Sequence, residues 1–161
     1  LFTQRIIEGM GGSKDRSYEA AVEMTRAWEY AHNFELYEDT LPVLAALREH
    51  GLKIGLVSNT GRDLEAFVAH HALDIDAAVG SGAHGKTKPH PAIFLAALEQ
   101  LGVTAAEAAM VGDSPEDDVE GAQALGMRAF LVDREDRFPG VEGRLPDLLA
   151  LPAALGLSGK P

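Results

Sequence analysis

The sequence contains no cysteine, and this absence removes several kinds of chemistry. None of the 161 residues is Cys, so disulfides, thiolate zinc sites and cysteine nucleophiles are excluded. A cysteine-free chain fits a reducing interior, and we predict a cytoplasmic protein. Long apolar runs are also missing, because no stretch approaches the roughly 18 residues that a membrane-spanning helix needs. We therefore predict no association with a membrane.

Positive charge is scarce as well. Lys and Arg number 14 against 25 Asp and Glu, which gives a formal net charge of −11 and a sequence pI near 4.9. A field of this sign repels nucleic acids and anionic lipid surfaces, so neither is predicted as a partner. The same field would repel a phosphate ester unless a cation and a few well-placed donors reverse it locally.

An initiating methionine is missing too, since the chain begins at Leu1. We therefore expect that further sequence lies upstream of this chain. The composition, 46% hydrophobic and 24% charged, is that of a globular protein. A chain of this length can form one domain with a core and a small appendage.

Apolar periodicity and glycine or proline punctuation predict alternating helices and strands after residue 40. Predicted helices cover 40–50, 61–71, 91–101, 115–125 and 146–155, with strands at 53–57, 77–80, 109–112 and 128–132. Leu41, Leu44 and Leu47 are predicted to face inward. Upstream, an Ala/Glu-rich helix is predicted over 17–33 and a shorter helix over 1–8. Strands that alternate with helices indicate a doubly wound, three-layer α/β fold with a parallel sheet.

Three groups of polar residues follow predicted strands, where ligands bind in open parallel sheets. Ser58-Asn59-Thr60 leads into a helix N-terminus, which favours anions. Taken alone, this triplet is better explained as a helix cap.

The second group places four carboxylates within the six residues 113–118. Such crowding is unfavourable unless a cation joins the acids, and oxygen-only ligands suit Mg²⁺. A helix dipole also stabilises acidic residues in a first turn, which explains Glu116 but not Asp113, because Asp113 precedes the helix.

The third group contains Lys88, followed by Pro89 and Pro91. A lysine beside a phosphoryl group stabilises its developing negative charge. The two prolines stiffen the backbone around Lys88, which favours it over Lys86 for this role.

Together these segments resemble three motifs of the haloacid dehalogenase superfamily. They are LVSNT at 56–60, KPHPAIF at 88–94 and VGDSPEDDVEGAQALGM at 111–127, and the resemblance extends over residues 36–134. It points to the phosphatase-like branch with a helical cap, similar to phosphoglycolate and N-acylneuraminate-9-phosphate phosphatases. The resemblance implies a Mg²⁺-dependent phosphatase that hydrolyses a small phosphorylated metabolite through an aspartyl-phosphate.

The resemblance also implies a role for each matching residue. Ser58 and Asn59 would hold the phosphoryl oxygens, and Lys88 would bridge the nucleophile and the phosphate. Asp113 would bind Mg²⁺, with Asp118 or Asp117 holding it directly or through water. Asp118 aligns better with the second acid of the family and is ranked above Asp117. The predicted catalytic residues are therefore Lys88, Ser58 and Asp113.

The first motif of the family, Asp-x-Asp-x-Thr after a strand, is absent from these residues. It would supply the nucleophile and the strand between those ending at Ser58 and Asp113. We therefore predict a cap remnant at 1–35 and a core at 36–161 that lacks its first strand. The missing segment would come from upstream or from another chain, and the 161 residues alone are predicted to be inactive.

Three alternatives remain open. A 2-haloacid dehalogenase would share Ser58 and Lys88, but that branch needs no metal and usually has a Ser/Asn-rich fourth motif. In a mutase of the β-phosphoglucomutase kind, the distinguishing residues lie mainly in the missing part. The chain could also be a non-catalytic or partner-dependent fragment. A receiver domain is disfavoured, because its acidic pair comes first and its lysine last. In this chain the lysine comes before the acids.

Overall fold

A computed structural model of the protein describes residues 2–157, except for the side chains of residues 2, 3, 28 and 29. The chain divides into two compact units, Leu1–Glu35 and Leu36–Pro161. Among the described residues, no helix is both long and apolar enough to cross a membrane.

The first unit is a pair of helices, α1 at Phe2–Gly9 and α2 at Lys14–Glu29, followed by a 3₁₀ turn at Ala31–Asn33. Helix α2 begins three residues before the predicted start and ends before the extended backbone of Tyr30. Ser17 and Ala21 are buried one turn apart on α2. The Ser17 hydroxyl donates a 3.0 Å hydrogen bond to Glu8 Oε1 and so links the two helices.

The second unit alternates helices and strands, as predicted. Its elements are α3 Thr40–Glu49, β1 Gly55–Ser58, α4 Leu64–His70, β2 Ala77–Gly80, α5 Ser81–His84, α6 Pro91–Leu101, β3 Ala109–Gly112, a π-helical segment Pro115–Glu120 that continues into α7 Gly121–Gln123, β4 Arg128–Val132, β5 Arg144–Leu145 and α8 Leu151–Ala154. Strands β2, β3 and β4 have the predicted bounds, whereas β5 was not predicted. The helix predicted at 146–155 is a 3₁₀ turn followed by the single turn of α8.

All strand pairings are parallel, which confirms the predicted α/β class. Strand β1 pairs with β2, and β3 pairs with β4, which pairs with β5. Over residues 2–157 these pairings form two sheets instead of one continuous sheet. Strands β1 and β3, between which a missing strand is predicted, lie in different sheets.

Helices cover both faces of the second sheet, so the unit has three layers. On β3, Val111 packs against the core formed with α3 and α8, while its neighbour Met110 packs against the core formed with α6 and α7. Successive strand residues point to opposite faces, so each face has its own core. The first core contains Val43, Leu47, Phe130, Leu145 and Leu151, and the second contains Val79, Ile93, Phe94, Ala97 and Ala122.

Helix α3 buries Leu47, as predicted, but not Leu41. Val43 and Leu47 are buried, whereas Leu41 is 49% exposed. Residues four apart share a helix face, and Leu41 lies about 200° around the helix from Val43. The prediction that Leu41 faces inward is therefore wrong.

Strands β1 and β3 are less buried than their partners. Ala77, Val79 and Gly80 of β2 are buried, but no residue of β1 or β3 is, although both strands are largely apolar. Within the described part of the chain, each of the two has a strand on one side only. Their second edges therefore leave main-chain N–H and C=O groups without a sheet partner.

The loop between β4 and β5 is organised by the carboxylate of Asp133. It accepts hydrogen bonds from the N–H groups of Arg137 and Phe138 and from Arg144, at 2.9, 2.8 and 3.2 Å. Burial alone would raise the pKa of Asp133, but these donors and the charge of Arg144 outweigh it and hold the pKa below its ordinary value. The charged form of Asp133 thus stabilises the loop that leads into β5.

The lowered pKa of Asp133 predicts acid sensitivity. Stability from its charged form is complete above the ordinary aspartate pKa of about 4 and is lost as the pH falls through the lower folded pKa. We expect Asp133→Asn to be less stable at pH 7 and to lose less stability than the wild type between pH 5 and 3. Urea unfolding across this range measures the difference. Glu135→Gln, in the same loop, serves as the control, and an Asp133→Asn curve parallel to the wild type would contradict the prediction.

A second prediction concerns helix α6, where Ile93 is fully buried and Leu95 is 50% exposed. We expect Ile93→Ala to lower the free energy of unfolding by about 2–5 kcal/mol, because it removes buried methyl groups and leaves a cavity. Leu95→Ala, a similar truncation two residues away, should change it by less than about 0.5 kcal/mol. Urea unfolding measures both, and equal losses would contradict the assigned face.

Candidate active site

A buried ion pair lies at the carboxyl ends of the strands. Lys88 Nζ is 2.5 Å from Asp118 Oδ1, and the two side chains are only 11% and 3% exposed. Lys88 comes from the segment before α6, and Asp118 comes from the helix after β3. The structure thus brings together two predicted site residues that are 30 positions apart.

The turn after β3 fixes the position of Asp118. The Ser114 hydroxyl accepts a 3.1 Å hydrogen bond from the Asp117 N–H and begins the helix. Asp118 Oδ2 accepts a 3.0 Å hydrogen bond from the Ser114 N–H. Gly112 leaves room for the carboxylate, because a Cβ there would lie 2.1 Å from Asp118 Oδ2. This requirement for glycine was not predicted from the sequence.

Asn59 connects the loop after β1 to this cluster. Its Oδ1 accepts a 2.6 Å hydrogen bond from the Lys88 N–H, and its Nδ2 donates to the Lys88 carbonyl at 3.0 Å. The same Nδ2 donates to Asp117 Oδ2 at 3.3 Å. The side chain of Asn59 therefore contacts both of the other site segments.

Ser58 and Asp113 lie at the strand ends that the sequence predicted. Ser58 is the last residue of β1 and is half-buried, while Asp113 follows β3 and is exposed. Within residues 2–157, neither side chain makes a hydrogen bond or an ion pair. Both are therefore accessible to solvent or to a ligand.

The acids after β3 differ in how far they are free to bind the predicted Mg²⁺. No group of three or more His, Asp or Glu side chains in the described part of the chain is arranged to hold a metal. Mg²⁺ typically uses only one or two protein carboxylates and keeps several waters. Asp113, without a protein partner, and Asp117, with one weak contact, fit that requirement. Each oxygen of Asp118 already accepts one strong hydrogen bond, whereas Asp117 has only the weak contact with Asn59. Asp117 is therefore the freer of the two acids, although the resemblance ranks Asp118 first.

A second polar cluster follows β4 and was not predicted. Arg134 forms a 2.8 Å ion pair with buried Asp39 and lies 4.0 Å above the Tyr37 ring. Arg134, Asp39 and Tyr37 all line an open cavity of about 550 Å³, together with Leu149 and others. The rule that polar residues after a strand mark a site would have identified Arg134, had it been applied to this strand.

Sequence comparison relates the chain to a family of known proteins. A sequence model of haloacid dehalogenase-like hydrolases matches residues 4–126. The chain belongs to this hydrolase family. The match includes Ser58, Lys88 and Asp113, and it confirms the family that the three motifs indicated.

Several family members are similar over most of the chain. A phosphoserine phosphatase from Thermus thermophilus is 38% identical over 134 residues, covering 80% of this chain and 51% of the relative. A HAD phosphatase structure from Thermococcus onnurineus has a TM-score of 0.76 and 28% identity, covering 96% of this chain and 86% of the other. A 2-haloacid dehalogenase structure from Pseudomonas syringae has a TM-score of 0.71 and 27% identity, covering 96% and 68%. The chain spans only 51–57% of the length of the first curated relatives it matches.

The contact between Gly112 and Asp118 gives a testable prediction. We expect Gly112→Ala to lower the free energy of unfolding by about 1–3 kcal/mol, because the added methyl group displaces the Asp118 carboxylate. Gly140→Ala is the matched control, since a Cβ at Gly140 meets no atom within 4 Å. Urea unfolding of both variants checks the prediction, and a Gly112→Ala protein as stable as the control would refute it.

Proposed function

We propose that this chain forms the phosphate-binding and metal-binding half of a Mg²⁺-dependent phosphatase for a small phosphorylated metabolite. The observation that carries the proposal is the buried Lys88–Asp118 pair, which holds an ammonium group at the same carboxyl ends of the strands that Asp113 and Asp117 follow. In a family of hydrolases, a lysine fixed at this edge is suited to neutralise a phosphoryl group.

The charges at the carboxyl ends of the strands support the proposal that the site binds a metal ion. Lys88 is paired with Asp118, which leaves Asp113 and Asp117 with no cationic partner among residues 2–157. A phosphate dianion would be repelled by two such carboxylates. When bound by Asp113 and Asp117, Mg²⁺ would supply the positive charge that lets the phosphate enter.

The chemistry that we propose has two displacements. A carboxylate from a segment outside this chain attacks phosphorus, the bond to the leaving oxygen breaks, and that oxygen receives a proton from the same segment. Water then cleaves the resulting acyl phosphate and releases inorganic phosphate. Within this chain, the Ser58 hydroxyl donates to a phosphoryl oxygen, and Lys88 stabilises the negative charge during both displacements.

The break between the two sheets supports an additional strand at this position. Strands β1 and β3 have half-exposed apolar side chains, and each has an edge without a sheet partner in the described part of the chain. A strand inserted between them would satisfy both edges. Its carboxyl end would also lie beside Ser58 and Asp113, where an attacking carboxylate is needed. We propose that this strand is supplied by upstream sequence or by another chain.

We also propose that Leu1–Glu35 is the remnant of a helical cap. Its exposed residues include the large apolar side chains Ile6, Met10, Tyr18, Met24 and Tyr30. A two-helix unit of this size buries too little apolar surface to be stable alone, so further helices are expected to cover these side chains.

A dehalogenase is the second candidate, because one similar structure is a 2-haloacid dehalogenase. The acid-rich turn at 113–118 argues against it, since that branch needs no metal. Phosphoserine phosphatase and HAD phosphatase relatives support the phosphatase proposal.

The test uses a protein that contains this chain and its upstream segment, with release of phosphate from 4-nitrophenyl phosphate as the measurement. We expect release to require Mg²⁺ and to be lost in Asp113→Ala. Lys88→Ala should lower kcat/KM by at least about 100-fold, as expected for removal of a group that stabilises the transition state. The 161-residue chain alone should release no phosphate.

Matched controls are available close to each residue. Lys86→Ala and Glu116→Gln alter the same two segments and should leave the rate within about two-fold, because exposed residues away from the chemistry contribute little. Equal rates with and without a chelator, or release of chloride from a haloacid, would overturn the phosphatase proposal.

A further inference from the structure

We propose that Asn59 is a positioning residue that fixes the main chain of Lys88, and that its side chain does not bind the substrate. The consequence for catalysis rests on the proposed function, whereas the contact between Asn59 and Lys88 does not. The resemblance alone would place Asn59 on a phosphoryl oxygen.

The hydrogen-bonding capacity of Asn59 is the first argument. An asparagine side chain has two N–H donors on Nδ2 and one carbonyl acceptor. The two acceptors of Nδ2 are the Lys88 carbonyl and Asp117 Oδ2, and Oδ1 accepts from the Lys88 N–H. No donor remains for a phosphoryl oxygen, and the spare lone pair of Oδ1 would repel one.

The second argument is the geometry of the contact with Lys88. Asn59 engages both the N–H and the carbonyl of the same residue, at 2.6 and 3.0 Å. This paired contact restrains the orientation of the Lys88 main chain as well as its distance. In the described residues, Asn59 is the only partner of these two main-chain groups.

The third argument is that Lys88 needs such a restraint. Its ammonium ends a flexible four-carbon side chain, and that freedom must be limited for the charge to stay at one point. Asp118 holds the ammonium at one end, and Asn59 holds the main chain at the other. Asn59 also contacts Asp117, so one side chain connects three segments of the site.

The direct test is amide hydrogen exchange at Lys88 in the 161-residue chain, without phosphate or metal. We expect the Lys88 amide hydrogen to exchange about ten-fold faster in the Asn59→Ala variant, because this amide loses its only hydrogen-bond acceptor. Amides of β2 should keep their wild-type rates, which shows that the fold is retained. Asn59→Ser, whose side chain is too short to bridge to Lys88, should give the same result and is the second variant.

Two controls separate this role from a general structural one. Asn33→Ala removes another amide side chain that donates to a main-chain carbonyl, that of Ala27 at 2.8 Å, and should leave the Lys88 amide unchanged. Asp118→Asn alters the partner of the ammonium but keeps Asn59, so the Lys88 amide should remain protected. Unchanged exchange at Lys88 in both Asn59 variants would overturn the proposal.

A double-mutant cycle in the longer, active protein tests the catalytic consequence. A residue that acts through Lys88 adds no further loss of kcat/KM once Lys88 is alanine, so Asn59→Ala should have no effect in that background. An independent phosphate ligand would instead cause the same loss in both backgrounds, which would overturn the proposal. If no phosphatase activity is found, the proposed function fails, but the exchange measurement still decides the role of Asn59.

Discussion

The carboxyl edge of this protein depends on the buried ion pair between Lys88 and Asp118. Removing two charges from water is costly unless each is paired and hydrogen-bonded with good geometry. The surrounding structure meets this requirement: Gly112 makes room for the carboxylate, the Ser114 N–H binds its second oxygen, and Asn59 holds the main chain of Lys88. The site is therefore arranged around the placement of one positive charge in a chain with a net charge of −11.

Much of the fold could be predicted because its signals are local. Short apolar runs beside glycine or proline located β2, β3 and β4, and Gly102 ends α6 with the left-handed φ of +64° that its position suggests. Strand β5 could not be predicted, because its pairing depends on contacts from Asp133 that no local pattern reveals. Leu41 was wrongly predicted to face inward because leucine occurs on both sides of α3, so hydrophobicity alone could not select the buried side.

The location of the candidate residues near the strand ends could be predicted, but their contacts could not. The rule that ligands bind beyond the carboxyl ends of parallel strands identified Ser58, Lys88 and Asp113. The resemblance ranked Asp118 above Asp117 by its position in the motif, but only the three-dimensional structure shows that Lys88 pairs with Asp118. Asn59 likewise meets its partners 29 and 58 positions away, a separation at which sequence spacing carries no information.

The separation of the strands into two sheets also affects how readily copies of this chain associate with one another. Strands β1 and β3 are uncharged and largely apolar, and each has an edge that can recruit a strand from a neighbouring copy. The net charge of −11 opposes such encounters, but its reach shrinks to about 10 Å at 0.1 M salt. Edge-to-edge association is thus restrained by long-range repulsion, and the solubility of the 161 residues is tied to ionic strength.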